Sequence, residues 1–251
     1  MGNTLIIEIK KGGLGDHLFY SHLPRIAKQT QAFEKVLISN HSYFRSADYK
    51  KLIWELNPFV DGFTDEKGIC RFTTFFNASQ NMLDSMMLDY GLDDGERMHE
   101  PEIYYTPNIN PALSHLQVYD PNFQSYTGDL KTGKLIEQWL LNNQIHIDYQ
   151  MRFLGKRQLP ISNTPSYSCK DIFEFCDFLA SIDRFYCVNT GSTTLAAALH
   201  KKATVFYGSG HIEGYRHSKL HNYIGLGTDY TILNYFRKWL GFCYYSLFKS
   251  E

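Results

Sequence analysis

Near the start of the chain a carboxylate follows a glycine turn, Lys11-Gly-Gly-Leu-Gly-Asp16. Gly12, Gly13 and Gly15 relieve the steric cost of a tight turn and let a ligand approach the backbone where a helix begins. Asp16 is there a candidate general base, or the N-cap of that helix; one carboxyl can do both, with one oxygen capping and the other facing a cleft. The spacing is not a dinucleotide fingerprint, because Leu18 stands where the third glycine belongs and the next strand ends in Asn40 rather than an acid. Nor is it a nucleoside-triphosphate loop, since no Gly-Lys-Ser/Thr follows.

The second candidate is Val188-Asn-Thr-Gly-Ser-Thr-Thr-Leu-Ala-Ala-Ala-Leu199. Here Asn189, Thr190, Gly191, Ser192, Thr193 and Thr194 offer free backbone N–H groups, hydroxyl donors and the positive end of a helix dipole, all suited to a diphosphate. The plain alternative is a polar turn closed by a Ser or Thr cap. His17 and His22 flank the helix after the glycine turn and would line an acceptor side, a buried structural role being the alternative for each. His211, His217 and His221 gather with Glu213 after a later strand, at spacings that match no zinc site. That segment reads as a loop edging a cleft at the end of its strand, with Glu213 or Arg216 near a bound ligand.

The elements that must position these groups follow from the apolar patterning. Residues 4–10 read as a buried strand, 17–29 as a helix and 35–39 as a second strand, which is a βαβ unit with a parallel sheet. Helices are expected at 52–56 and 82–90, with a strand at 72–76 between them. Pro101, Pro107 and Pro111 mark a linker. Beyond it the pattern restarts: strand 115–119, helix 134–141, helix 171–181, strand 185–188, helix 193–199 and strand 203–207. The apolar, aromatic run 231–248 reads as a terminal helix. Three units result: 1–112 as an N-terminal Rossmann-like domain, 113–229 as a C-terminal nucleotide-binding domain, and 230–251 as a helix crossing back onto the first.

The 251 residues carry 25 basic and 26 acidic side chains, a net charge of -1 with no basic block, which argues against a nucleic-acid surface. The 18 Tyr and 18 Phe suit thick cores and stacking against bases or sugar faces. Five cysteines without a C-x-x-C pair point to a reducing compartment and no structural zinc. The opening apolar run is broken by Glu8 and Lys10, so no signal peptide is expected, and no stretch is long enough to span a bilayer. A cytoplasmic protein follows. The terminal helix would either be buried or touch the inner face of the membrane.

Taken together, Lys10 with Gly15-Asp16, Glu100-Pro-Glu-Ile-Tyr104, and Asn189-Thr-Gly191 leading through Leu195-Ala-Ala-Ala-Leu199 to Ala203-Thr-Val-Phe-Tyr-Gly208 resemble glycosyltransferase family 9, the ADP-heptose:lipopolysaccharide heptosyltransferases. The resemblance implies a GT-B fold: an α/β protein of two Rossmann-like domains whose parallel sheets face a cleft. The acceptor would lie toward the first domain and the nucleotide-sugar toward the second. It implies sugar transfer with inversion onto a bacterial surface glycan of lipopolysaccharide or capsule, free or lipid-linked, with no cofactor and no required metal. Asp16 matches the family's base, Gly13 and Gly15 the acceptor-side turn, Lys10 a cation near the phosphates, and residues 189–194 the donor-phosphate turn. Lys131 or Lys134 falls in the loop that usually supplies a second cation. Asn189 stands where the family usually has Asp, and Thr194 where it has His. The glycine turn also looks like the opening of the α-1,2-fucosyltransferases, although their His-x-Arg-Arg-Gly-Asp motif is missing. Two other readings are a GDP-fucose-type transferase and a noncatalytic GT-B homologue that binds a nucleotide-sugar or a partner.

Overall fold

The computed structural model describes residues 3–70, 81–123, 130, 133–153, 156–208 and 215–226. The first half is built on a three-stranded parallel sheet, β1 (Thr4–Ile7), β2 (Lys35–Ser39) and β3 (Gly62–Thr64), in that order. Ile69 adds a parallel bridge to Ile7 on the free side of β1. Leu5, Ile7, Val36 and Ile38 are buried, as the apolar runs require. The helix expected at 17–29 is two helices, α1 (Leu14–Leu18) and α2 (Leu23–Gln29). Pro24 in the first turn of α2 explains the break: it has no N–H to donate, and its ring would collide with the carbonyl one turn earlier in a continuous helix. A short α3 (Ala47–Lys50) runs into a π turn, Lys51–Glu55, and α4 (Met82–Asp89) follows.

The 100–110 segment has no helix or strand, in keeping with its prolines, yet it is pinned. Asp177 accepts from the Tyr105 hydroxyl at 2.7 Å and from Asn108 N at 2.9 Å. Glu100 accepts from the Ser218 hydroxyl at 2.7 Å.

The second half holds β4 (Gln117–Asp120), β5 (Asn122–Phe123), α5 (Lys134–Asn142), β6 (Tyr149–Met151), β7 (Arg157–Gln158), β8 (Ser166–Tyr167), α6 (Ile172–Ser181), β9 (Arg184–Val188), α7 (Gly191–Ala198), β10 (Ala203–Tyr207) and β11 (Asn222–Gly225). Its main sheet has the order β11-β10-β9-β4-β6-β8 and is parallel throughout. The chain lays down β4, β6 and β8 in one direction, then returns to lay β9, β10 and β11 in the other. This is the doubly wound order, and its reversal falls between β4 and β9, where such sheets open a ligand crevice. The short pair β5-β7 is antiparallel. The larger apolar core runs from Leu5 and Ile7 through Phe175 and Phe185 to Leu195 and Val205, so it joins both halves. A second core around Tyr119, Ile136 and Phe206 backs the main sheet.

Strands β3, β6, β8 and β11 escape the sequence reading, being short and half exposed, and α7 starts two residues earlier than expected. The strand expected at 72–76 and the helix at 231–248 lie outside the described residues. Among the described residues no helix is long and apolar enough to cross a membrane.

Candidate active site

A cleft of about 1160 Å³ receives the segments that leave the carboxyl ends of β1, β4 and β9. Its walls include Lys10, Gly13, Gly15 and Asp16 from the first half and Asn189, Thr190, Gly191, Ser192 and Thr194 from the second. The two motifs, separated by most of the chain, therefore face one space. α1 packs against α7, so the N-termini of the two helices meet at the floor of the cleft.

Asp16 does not cap α1 from outside, as its position after the glycines suggests; Gly13 is the N-cap, and Asp16 is the third helical residue. From there its Oδ2 accepts the Gly13 N–H at 3.0 Å, a bond made back across the first turn. Burial raises the Asp16 carboxyl above its ordinary value, while that N–H and the charges of Lys11 and Arg45 oppose the shift. The result is a carboxylate of increased basicity at the cleft wall. Gly12 serves a neighbour rather than a ligand: a Cβ there would stand 2.6 Å from the Tyr43 ring, which is 57% exposed and lines the cleft.

His17 and His22, expected to line an acceptor side, do not line the cleft. Both are fully buried. Trp54 Nε1–H donates to His17 Nδ1 at 3.0 Å, and His17 Nε2–H donates to Tyr43 O at 2.9 Å. Burial lowers the imidazole to about 4, so His17 is a neutral strut that fixes the Tyr43 backbone. His22 bonds Leu83 O at 3.1 Å, and burial lowers it to about 3.

In the second half, Thr190 is the N-cap of α7, so the expected polar turn is itself the first turn of the helix. Thr193 faces inward: its hydroxyl donates to Val188 O at 3.1 Å and accepts from Thr190 N at 3.3 Å, which locks the turn instead of meeting a ligand. Thr194 is also buried, with its hydroxyl near Thr190 O at 3.5 Å, although it borders the cleft. Asn189 Nδ2 is a buried donor with no partner among the described residues. Lys131, Glu213 and His211 lie outside the described residues. His221 donates from Nε2 to Thr193 O at 3.0 Å and so braces α7, while His217 bonds Tyr215 O within its own segment at 2.9 Å.

Several cleft residues gave no signal in the sequence. Lys11, Arg45, Arg152, Lys156 and Lys170 join Lys10 on its walls, against the carboxylates Asp16, Asp48 and Asp171. A chain of net charge -1 thus gathers a cationic excess at one place, which suits an anionic ligand. Asp120, at the carboxyl end of β4 and beside the switch point, is fully buried under this surface. Only the strand order makes it visible. Elsewhere, Asp94, Glu96 and His99 could converge on a cation, but His99 already bridges Asp84 at 2.6 Å and Asp94 at 3.1 Å, and none of the three lines the cleft.

No family model matches the sequence, and no curated protein does. Solved structures do match in fold. A glycosyl transferase of family 9 from Veillonella parvula aligns with 96% of this chain and 89% of its own at 7% identity, TM-score 0.59. The Escherichia coli ADP-heptose lipopolysaccharide heptosyltransferase II aligns with 95% and 98% at 9% identity, TM-score 0.59. The dodecameric iron-containing heptosyltransferase TibC, in complex with ADP-D-beta-D-heptose, aligns with 88% of this chain at 13% identity, TM-score 0.61, and this chain spans 62% of its length. With parallel sheets, a cleft at the strand ends and these neighbours, the chain has the GT-B fold of the glycosyltransferases.

Proposed function

We propose that this protein is a glycosyltransferase that moves a sugar, heptose-like or other, from a nucleotide-diphosphate donor to a bacterial surface-glycan acceptor, with inversion and without a required metal. The observation that carries the reading is the meeting of Asp16 and the first turn of α7 in one cationic cleft. Family 9 membership and a cytoplasmic setting, with contact to the inner membrane face where the acceptor is lipid-linked, belong to the same proposal. So does the division into an acceptor unit at 1–112 and a donor unit at 113–229.

The diphosphate would lie on the N–H groups opening α7, with the Asn189 amide and Ser192 hydroxyl as further donors. Lys10, Arg152 and Lys156 would offset its charge, a role that two-domain transferases can give to side chains in place of a divalent ion. Asp16 would take the proton from an acceptor hydroxyl as that oxygen bonds to the anomeric carbon. The anomeric C–O bond to phosphate breaks on the opposite face, its electron pair leaves with the diphosphate, and the α7 N–H groups stabilise the developing charge.

The test is a thermal-shift panel of ADP, GDP, UDP and CMP and their sugar conjugates, followed by transfer assays with and without EDTA. A diphosphate at a hundred times its Kd should stabilise the fold by about 2.7 kcal/mol. ADP preference would favour a heptosyl donor and GDP a fucosyl one. A folded protein that responds to none of them would overturn the reading in favour of a noncatalytic role.

A further inference from the structure

More than half of Tyr43 is exposed, and it lines the cleft, yet its backbone is pinned on both sides. Tyr43 N–H donates to Ile9 O at 2.8 Å, His17 Nε2–H donates to Tyr43 O at 2.9 Å, and Arg45 N–H donates to Gly12 O at 3.2 Å. Just before it, the buried Ser42 hydroxyl accepts from Ile9 N at 3.0 Å. Just after it, Phe44 turns inward and stacks on the His17 ring at 4.7 Å. The Tyr43 ring goes outward, with one edge on Gly12: a Cβ there would stand 2.6 Å from Cδ1 and 2.8 Å from Cε1. A ring this exposed adds little to the core, so core packing does not account for so fixed a seat.

We propose that Tyr43 is a stacking platform for the acceptor sugar, holding the apolar C–H face of a pyranose ring so that a hydroxyl of the acceptor reaches Asp16. The inference rests on the reading of Asp16 as the base and of the α7 turn as the phosphate site. The glycine turn sets the order of the parts. Gly15 meets Gly191 of the phosphate turn, a Cβ on Gly13 would stand 2.6 Å from Asp16 Oδ2, and Gly12 seats Tyr43. Gly12 and Gly13 are neighbours, about 3.8 Å apart at Cα. Phosphate turn, base and ring therefore follow one another along one segment. A displacement with inversion needs the same order: leaving diphosphate, attacking hydroxyl, then the body of the acceptor.

The chemistry of the surroundings matches a sugar better than a nucleobase. In a nucleotide-sugar the base is joined at the far end of the diphosphate from the anomeric carbon, so a ring on the Asp16 side of the cleft meets sugar. A pyranose has apolar C–H faces and a hydroxyl-bearing rim. Its face buries apolar area on an aromatic ring, whose negative π-face attracts the C–H groups. The rim needs donors and acceptors beside that ring, and Arg45, Ser46 and Asp48 supply them on the same wall.

The experiment is saturation-transfer-difference NMR of methyl β-D-galactopyranoside and methyl β-D-glucopyranoside, with the protein held saturated by whichever of ADP, GDP and UDP it binds. In the wild type the protons of one pyranose face should receive most of the saturation. Tyr43→Ala should weaken glycoside binding about tenfold, as loss of an aromatic contact does, with the melting temperature and the diphosphate Kd unchanged. Tyr43→Phe and Tyr43→Trp, which keep an aromatic face, should retain the affinity. Equal glycoside binding by the wild type and Tyr43→Ala, no glycoside binding by a wild type that binds diphosphate, or a loss in Tyr43→Phe as complete as in Tyr43→Ala would each overturn the platform while leaving the phosphate site standing. A diphosphate affinity that falls in Tyr43→Ala would put the ring on the nucleotide side and overturn it too. A wild type that binds no diphosphate would overturn both the platform and the transferase reading.

Discussion

Gly15 and Gly191 meet backbone to backbone where the two halves join. A Cβ built on Gly191 would lie 3.0 Å from Gly15 N, and one built on Gly15 would lie 3.2 Å from Gly191 Cα. The pair belongs to the first turns of α1 and α7, so the approach that brings Asp16 to the phosphate turn depends on two absent side chains. From the sequence each glycine reads as room for a ligand; in the fold each also makes room for the other.

This relationship separates two accounts of a Gly191→Val variant. A side chain that merely crowded a phosphate would weaken nucleotide binding and leave the free protein intact. Because the side chain meets Gly15 instead, the helices must part, and overpacking of this kind costs about 1–3 kcal/mol. Both the melting temperature of the free protein and its nucleotide affinity should fall, with Gly191→Ala intermediate. A loss of affinity at unchanged melting temperature would restore the phosphate account.

Asp16→Asn should bind nucleotide normally and lose transfer by about 10²- to 10⁴-fold, the usual contribution of a positioned base. The pH profile carries a sign. Burial raises the Asp16 carboxyl, so the wild-type rate should fall with acid at a higher pH than an exposed aspartate would give. The limb should reflect loss of the ionised base, and Asp16→Glu should shift it instead of removing it. Full turnover by Asp16→Asn would take Asp16 out of the mechanism.

How far the site could be read beforehand depended on how local its determinants were. Strands β2 and β10 stand out as Lys35-Val-Leu-Ile-Ser39 and Ala203-Thr-Val-Phe-Tyr207, because an unbroken apolar run between polar ends is a local signal. Asp16 and Gly191 are equally local, each in a strand-turn-helix junction. Asp120, Arg45, Arg152 and Lys156 are ordinary polar residues in sequence, and only the strand order and the packing of α1 on α7 bring them to one cleft. His17 and His22 went the other way: a histidine beside a glycine turn looks available, but its side chain points inward on the buried face of its segment, where Trp54 or Leu83 claims it.

His99 should behave as a charged strut. The Asp84 hydrogen bond raises its imidazole above the ordinary 6.5, with burial opposing and Asp94 assisting. Burial works to raise Asp84 as well, but its bonds from His99 and Met98 N outweigh this and hold it low. A raised folded value means that the stabilisation is complete below pH 6.5 and is lost as pH rises through that value. Removing one partner of such a buried pair costs about 3–5 kcal/mol, so His99→Ala should be strongly destabilised at pH 6 and less so in alkali. Denaturant melts across pH would show it, and a pH-independent difference would mean that packing, not charge, is what His99 contributes.

Three other histidines should make the fold sensitive to acid. Burial depresses His17 to about 4 and both His22 and His217 to about 3, with neighbouring histidine charge adding to the last two. Each is neutral in the folded state and titrates near 6.5 once unfolded, so the unfolded chain gains protons that the folded chain refuses. Stability should therefore decline as pH falls below 6.5, by up to about 1.4 kcal/mol per pH unit for each group. His17 is the informative one to replace, because it also holds Tyr43 O beside the cleft. His17→Gln should lessen the acid sensitivity by one group's share while loosening the Tyr43 backbone, which hydrogen exchange at residues 42–45 would report. An acid slope unchanged by the substitution would show that His17 is not among the groups that drive it.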